Sequence, residues 1–287
     1  MIAFKAYKFV PVIAALVAAS SAQAVANTSA PSDWRLVPGQ AFNGVAGAMD
    51  GVVRIAYTDS AGDALACSGS LLAGGQFVLT AAHCAADFKS MTVYVGWADH
   101  SASEVRTVAA SDAHVHPLWT SVNDTDRGSD IAILKLDRAV TSVKGYNLST
   151  TNDVGKNYLI AGYGRTGPGA SADQPNGNDV WWGHYGYNTY DTTSQTFDRQ
   201  TEAAVPGWGY DPAFYAPGVT YRSDFDDGSA AHNTLGRIAG ATATFSHVAW
   251  INSVTAVPEP ETYGMLLSGL AMLGVLARRR RRRDGSA

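Results

Sequence analysis

The run Phe77-Val78-Leu79-Thr80-Ala81-Ala82-His83-Cys84 is the part of the chain best suited to chemistry. A short apolar strand passes directly into small residues and an imidazole, and a thiol follows at once. An imidazole so placed can act as a general base, provided it is held within about 3 Å of the proton it removes. The means of holding it lies close by. Cys84 and Cys67 are the two cysteines of the chain, and in an oxidising compartment they are expected to pair. Closing a loop of that length stabilises by on the order of 3 kcal/mol in the chain-entropy account. It also fixes the histidine turn to the upstream run Cys67-Ser68-Gly69-Ser70-Leu71-Leu72. Two cysteines alone do not make a structural zinc site, and no pair of histidines has the H-x-x-x-H spacing that would complete one, so no metal is expected. A carboxylate, Asp130, opens the run Ile131-Ala132-Ile133-Leu134-Lys135-Leu136. Taken alone it reads as a turn or cap residue before a strand.

These groups need a scaffold, and the pattern around them is that of strands. From Gly51 onward, short runs rich in Val, Ile, Leu, Tyr and Thr alternate with Gly, Asp, Asn and Ser, giving strands at 52–57, 77–81, 92–96, 131–136 and 158–163. No stretch of the body sustains an amphipathic helical period, so the architecture is all-β, mostly antiparallel, as a sandwich or barrel. Residues 165–235 change character toward Gly, Asn, Asp, Thr and aromatics, with Trp181-Trp182-Gly183-His184-Tyr185-Gly186-Tyr187 at their centre. They read as loops and edge strands, their aromatic rings either covering a small β core or forming a carbohydrate-binding platform.

The Thr80-Ala81-Ala82-His83-Cys84 run, with Cys67 upstream, resembles the histidine segment of the trypsin-like, chymotrypsin-fold serine proteases. Ser129-Asp130-Ile131-Ala132-Ile133-Leu134 resembles the family's acid-bearing segment, and His116-Pro117-Leu118-Trp119 the loop before it. Ile160-Ala161-Gly162-Tyr163-Gly164-Arg165 resembles the strand that opens the second barrel. The resemblance covers roughly residues 50–166. It implies a double antiparallel β-barrel, residues 25–145 forming the barrel that carries His83 and Asp130 and residues 146–255 the second. It further implies hydrolysis of peptide bonds in a protein or peptide substrate without a cofactor. His83 would be the general base, and Asp130 would hold its tautomer and stabilise the imidazolium.

The nucleophile departs from the family pattern. The family places it in Gly-Asp-Ser-Gly-Gly-Pro, where flanking glycines let two N–H groups face the developing oxyanion. The nearest run here is Asp226-Asp227-Gly228-Ser229-Ala230-Ala231, with Ser223 a weaker alternative. In bacterial proteases that carry a C-terminal tail like residues 256–287, a segment similar to Asp224–Gly228 followed by Ala-Ala-x-Asn precedes the Gly-Asp-Ser run, which would align Ser229 upstream of the nucleophile. Ala243-Thr244-Phe245-Ser246-His247-Val248-Ala249-Trp250-Ile251 resembles the family's closing segment, and it begins only about fifteen residues after Gly228. The strands for nucleophile, oxyanion hole and pocket wall do not fit that interval, so the second barrel is expected to be incomplete, open and partly disordered. Two functions follow: a serine endopeptidase with Ser229 as nucleophile, or a catalytically inactive homologue that binds at the surface or after secretion. A deletion in the gene is the third origin of the pattern.

Both ends carry sorting features. Lys5 and Lys8, the apolar run Phe9–Ala19 and Ala22-Gln23-Ala24 form a secretory signal over residues 1–24, cut by signal peptidase after Ala24. Residues 256–287 contain Val257-Pro258-Glu259-Pro260-Glu261, an apolar helix-forming stretch Tyr263–Ala277, and six arginines, Arg278–Arg283. The arginines stay on the cytoplasmic side, and the apolar stretch is shorter than the roughly 20 residues of a comfortable span. This tail resembles the PEP-CTERM signal, which implies an exosortase-type enzyme acting near Pro258, Glu259 and Pro260 after transient membrane contact. The expected destination is periplasmic, cell-surface or extracellular. Without both ends the body retains 13 basic and 22 acidic side chains, a net charge of −9. That balance argues against nucleic acid as a partner.

Overall fold

The computed structural model describes residues 25–26, 34–96, 103–121, 127–163, 166–167, 182–206, 210–224 and 238–256. The chain falls into two compact units, residues 1–247 and residues 248–287. In the first unit three short strands, β1 (Val25–Ala26), β2 (Ala41–Phe42) and β3 (Val45–Ala46), precede the main series. That series is β4 (Val52–Thr58), β5 (Ala64–Leu71), β6 (Phe77–Thr80), β7 (Ser90–Val95), β8 (Glu104–Val108), β9 (Ala113–Val115) and β10 (Ala132–Lys135). The seven pair in the order β8-β7-β4-β5-β6-β10-β9, with every ladder antiparallel.

Period-two alternation builds the sheet. In β4, Val53, Ile55 and Tyr57 are buried while Arg54, Ala56 and Thr58 are partly exposed. Val53 and Ile55 share one core with Leu71, Val78, Val93 and Leu134, all fully buried. Each such side chain stabilises the fold by roughly 1.5–3 kcal/mol relative to an exposed one. The sheet also curls. The chain leaving β10 meets β8, where Asp137 N–H donates to Thr107 O at 3.0 Å and the Arg106 guanidinium donates to the carbonyls of Arg138 and Ala139 at 3.1 Å each. Those bonds cover an edge strand that would otherwise present unpaired backbone groups.

The second part of this unit contains β11 (Asn157–Gly162), β12 (Thr166–Gly167), β13 (His184–Thr189), β14 (Thr192–Thr193), helix α1 (Ser194–Ala204), β15 (Thr220–Asp224) and β16 (Ile238–Thr242). Among the described residues it forms separate sheets: β11-β13, β14-β15-β16, and β1 parallel to β12. The strand expected at 158–163 is β11, and the aromatic stretch falls largely on β13. Tyr185 packs edge-on against Trp34 at 5.3 Å and Phe42 at 5.0 Å, so it covers the small core that includes Phe42.

Helix α1 corrects the expectation that residues 165–235 hold only loops and strands. Thr193 caps it by accepting from Thr196 N–H at 3.1 Å, which satisfies one of the free donors of a first turn. Phe197 lies under the Arg222 guanidinium at 4.6 Å, and Asp198 accepts from the Tyr215 hydroxyl. Neither contact leaves a periodic apolar stripe in the sequence. The second unit contains helix α2 (Val248–Thr255). No helix among the described residues is long and apolar enough to cross a membrane.

Candidate active site

Register brings His83 and Asp130 together. Strands β6 and β10 run antiparallel with Thr80 opposite Ala132. The chain just past the end of one therefore faces the chain just before the start of the other. His83 sits in a single 3-10 turn, Ala82–Cys84, directly after β6. Its Nδ1 is 2.7 Å from Asp130 Oδ2, and its backbone N–H donates to Asp130 Oδ1 at 3.0 Å. The carboxylate thus grips the residue at ring and backbone. An ionised carboxylate only accepts, so neutral His83 carries its proton on Nδ1 and a lone pair on Nε2. That Nε2 is buried and has no hydrogen-bond partner among the described residues.

The turn is anchored from behind. Cys84 and Cys67 form a disulfide, and Thr80 Oγ1 donates to Ser68 O at 2.9 Å. Cys67, Cys84 and His83 lie close enough for their donor atoms to fall within 4.8 Å of one another. The two sulfurs are bonded to each other, so they are not the thiolates a metal would require, and the group does not fit a metal centre.

The candidate serines fare differently. Ser229 lies outside the described residues. Ser223 is on β15, buried, and its Oγ accepts from the Tyr158 hydroxyl at 3.1 Å; it is not bonded to His83 Nε2. The weaker of the two sequence candidates is therefore engaged in the second part's own core. Strands β15 and β16 pair as far as Asp224 opposite Ile238.

Further residues near Asp130 could not be assigned from the sequence. Thr242 Oγ1 donates to Asp130 O at 3.1 Å. His247 Nε2 lies 2.5 Å from Gly128 O, and its ring meets His116 edge-on at 4.7 Å. Burial, reinforced by His247, holds the His116 imidazole below the usual histidine range. Burial does the same for His247, opposed by its bond to Gly128. The only sequence hint was that His116 and His247 each fell in a segment resembling the family. Elsewhere His184, fully buried, is pushed down to about 4, first by burial and then by the charge of Arg35.

This arrangement has counterparts among known proteins. The family model described as Trypsin matches residues 42–210, and that described as the PEP-CTERM protein-sorting motif matches residues 256–282. The chain is 38% identical over 109 residues to proproteinase E of Bos taurus, a match covering 34% of this chain and 42% of that protein. It is 32% identical over 123 residues to chymotrypsin-like elastase family member 3B of Homo sapiens, covering 39% and 45%. The chain thus spans less than half the length of these relatives. Among solved structures, HL collagenase superposes with a TM-score of 0.57 at 18% identity, covering 78% of this chain and 97% of that one. Neuropsin, a serine protease expressed in mouse brain, superposes with a TM-score of 0.52 at 15% identity, covering 78% and 98%. These two likenesses establish a shared chymotrypsin-like fold.

Proposed function

Because the chain belongs to the trypsin family, we propose that it is an exported serine endopeptidase in which His83 is the general base, Asp130 orients it, and Ser229 is the nucleophile. The observation that carries this reading is the pair itself: a carboxylate 2.7 Å from Nδ1 leaves a basic lone pair on Nε2. In the reaction, the serine Oγ forms a bond to the scissile carbonyl carbon as its proton passes to Nε2. The imidazolium so formed is stabilised by Asp130 and returns the proton to the leaving amine as the C–N bond breaks. Water then repeats the sequence on the acyl ester and frees the serine. No cofactor takes part.

A second reading, a non-catalytic homologue that binds peptides, is favoured by the run Asp226-Asp227-Gly228-Ser229-Ala230-Ala231. It puts Asp and Ala where backbone flexibility and close N–H approach require glycine. Reaction of the purified protein with a broad serine-reactive phosphonate, followed by mass spectrometry, separates the two. Labelling at Ser229 that disappears in His83→Ala supports the peptidase. Folded protein that takes no label supports the binding homologue.

The PEP-CTERM motif marks the chain for sorting to the cell envelope. We assign processing to signal peptidase after Ala24 and to an exosortase-type enzyme at Pro258-Glu259-Pro260. Intact mass of the exported protein tests both; a C-terminus still carrying Arg278–Arg283 would refute the second.

A further inference from the structure

The turn that carries Asp130 is held from both sides, and only one of them is the sheet. From Ile131 onward the chain is fixed locally, with Ala132 opposite Thr80 and Val115 and Ile131 O accepting from His116 N–H at 3.0 Å. Upstream, residues 127–130 are fixed by chain that follows much later. Arg127 Nε donates to Phe214 O at 3.2 Å, with its guanidinium 5.4 Å over the Phe214 ring. Gly128, at φ +77°, approaches Gly218 so closely that a Cβ on either would collide with the other's backbone. Gly128 O accepts from His247 Nε2, and Asp130 O accepts from Thr242 Oγ1. The last two contacts join residues 119 and 112 positions apart.

The gripping segment is itself braced. Ala243 N–H donates to Val219 O at 2.8 Å, Ser246 Oγ donates to Ala243 O at 2.8 Å, and Val219 N–H donates to Ser246 Oγ at 3.3 Å. The His247 ring fills the space beside buried His116. A carboxylate that must stay 2.7 Å from an imidazole nitrogen tolerates little movement of its own backbone, because a charge-assisted bond weakens steeply with distance and angle.

We propose that Thr242 and His247 are positioning residues for Asp130. The segment 242–247 clamps the acid-bearing turn, so that the His83–Asp130 bond forms fully only when this late segment has docked. The kinetic side of this inference rests on the peptidase reading; the hydrogen-bond side does not. Neither residue touches the reacting atoms.

The test is proton NMR of the purified full-length protein, labelled with ¹⁵N in histidine, observing the Nδ1 proton between His83 and Asp130. Three variants are compared: T242V, which removes the donor at nearly constant volume; T242S, which keeps it; and H247F, which removes the bond to Gly128 while filling the space. The parent is expected to show a far-downfield, exchange-protected resonance. In T242V its exchange accelerates about tenfold, the change that one net hydrogen bond sustains, and T242S restores protection. H247F behaves as T242V does, and it carries the decision if T242V does not fold. Parent-like exchange in both T242V and H247F, or a parent without the resonance, overturns the proposal. A resonance that responds as expected in protein that takes no phosphonate keeps the clamp and removes the peptidase reading. Phosphonate labelling alongside an indifferent resonance does the reverse.

Discussion

The sheet β4–β10 and the strands β11–β16 achieve order by different means. The first places aliphatic side chains on one face, with Val53, Ile55, Leu71, Val78, Val93 and Leu134 all without solvent exposure, and adds a disulfide. The second relies on stacked tyrosines: Tyr158 on Tyr190 at 4.0 Å, and Tyr190 near Tyr221 at 4.4 Å. Its hydroxyls and backbone groups bond to one another, as in Asp153 N–H to the Tyr221 hydroxyl at 2.8 Å. Burial lifts the phenols of Tyr158 and Tyr190 above the ordinary tyrosine range. Aliphatic packing is non-directional and additive, whereas buried hydroxyls are stable only while each partner stays in place. The first region thus anchors the His83 turn through strand pairing and the disulfide, and the second contributes through a few directed contacts, of which those to residues 127–130 matter most to the site.

The sharpest way to probe that division is at the dyad. On the peptidase reading, His83→Ala lowers turnover by around six orders of magnitude and Asp130→Asn by about four, with the fold intact by circular dichroism. Comparable peptide hydrolysis by parent and His83→Ala protein would remove the sheet region's assigned role. Next in size is the core: Leu134→Ala is expected to cost about 2–5 kcal/mol by denaturant titration. A loss below 1 kcal/mol would mean that the aliphatic sheet is not the dominant source of stability.

Acidity offers a third test, centred on the second region. His184 has a folded-state value of about 4, below the roughly 6.5 of an unfolded histidine. The unfolded chain therefore binds the proton more readily. The stabilisation is fully present above about pH 6.5 and is lost as pH falls toward about 4, up to about 3 kcal/mol in all. Buried His116 and His247 shift in the same direction and add to the loss. Denaturant midpoints measured across that window should fall for the parent and fall less for His184→Gln; equal slopes would refute the assignment.

Smaller still is Tyr158→Phe, which deprives buried Ser223 Oγ of its donor and should cost about 1 kcal/mol. Hydrogen exchange should register it in β11 and β15 and leave β4 and β7 unchanged; uniform loss of protection would show that the two regions open together. Least of all, Tyr187→Ser alters a side chain that is 60% exposed and should shift stability by no more than about 0.5 kcal/mol. A larger loss by thermal denaturation would give that ring a structural role its exposure does not suggest.

Much of the first region was readable in the chain. Val52-Val53-Arg54-Ile55-Ala56-Tyr57 shows its buried face through alternation, and Phe77-Val78-Leu79 and Ile131-Ala132-Ile133-Leu134 are apolar runs of strand length. Cys67 and Cys84 had each other as their only possible intrachain partners. Helix α1 was not readable, because Ser194-Gln195-Thr196-Phe197-Asp198-Arg199 has no apolar period. It is held by a threonine cap and by partners on β15 and the turn at 212–215.

The amino-acid sequence by itself determined the strand pattern around the histidine, the pairing of the two cysteines and the C-terminal sorting motif. Each of these depends on residues adjacent in the chain or on a count of residue types. Tertiary structure alone decided that Asp130 meets His83 at both ring and backbone, that Ser223 turns to Tyr158, and that Thr242 and His247 reach the acid's turn from more than a hundred residues away. A hydroxyl or imidazole carries no mark in the sequence of which carbonyl it will find. That choice is made when packed strands bring distant backbone within the roughly 3 Å over which a hydrogen bond acts.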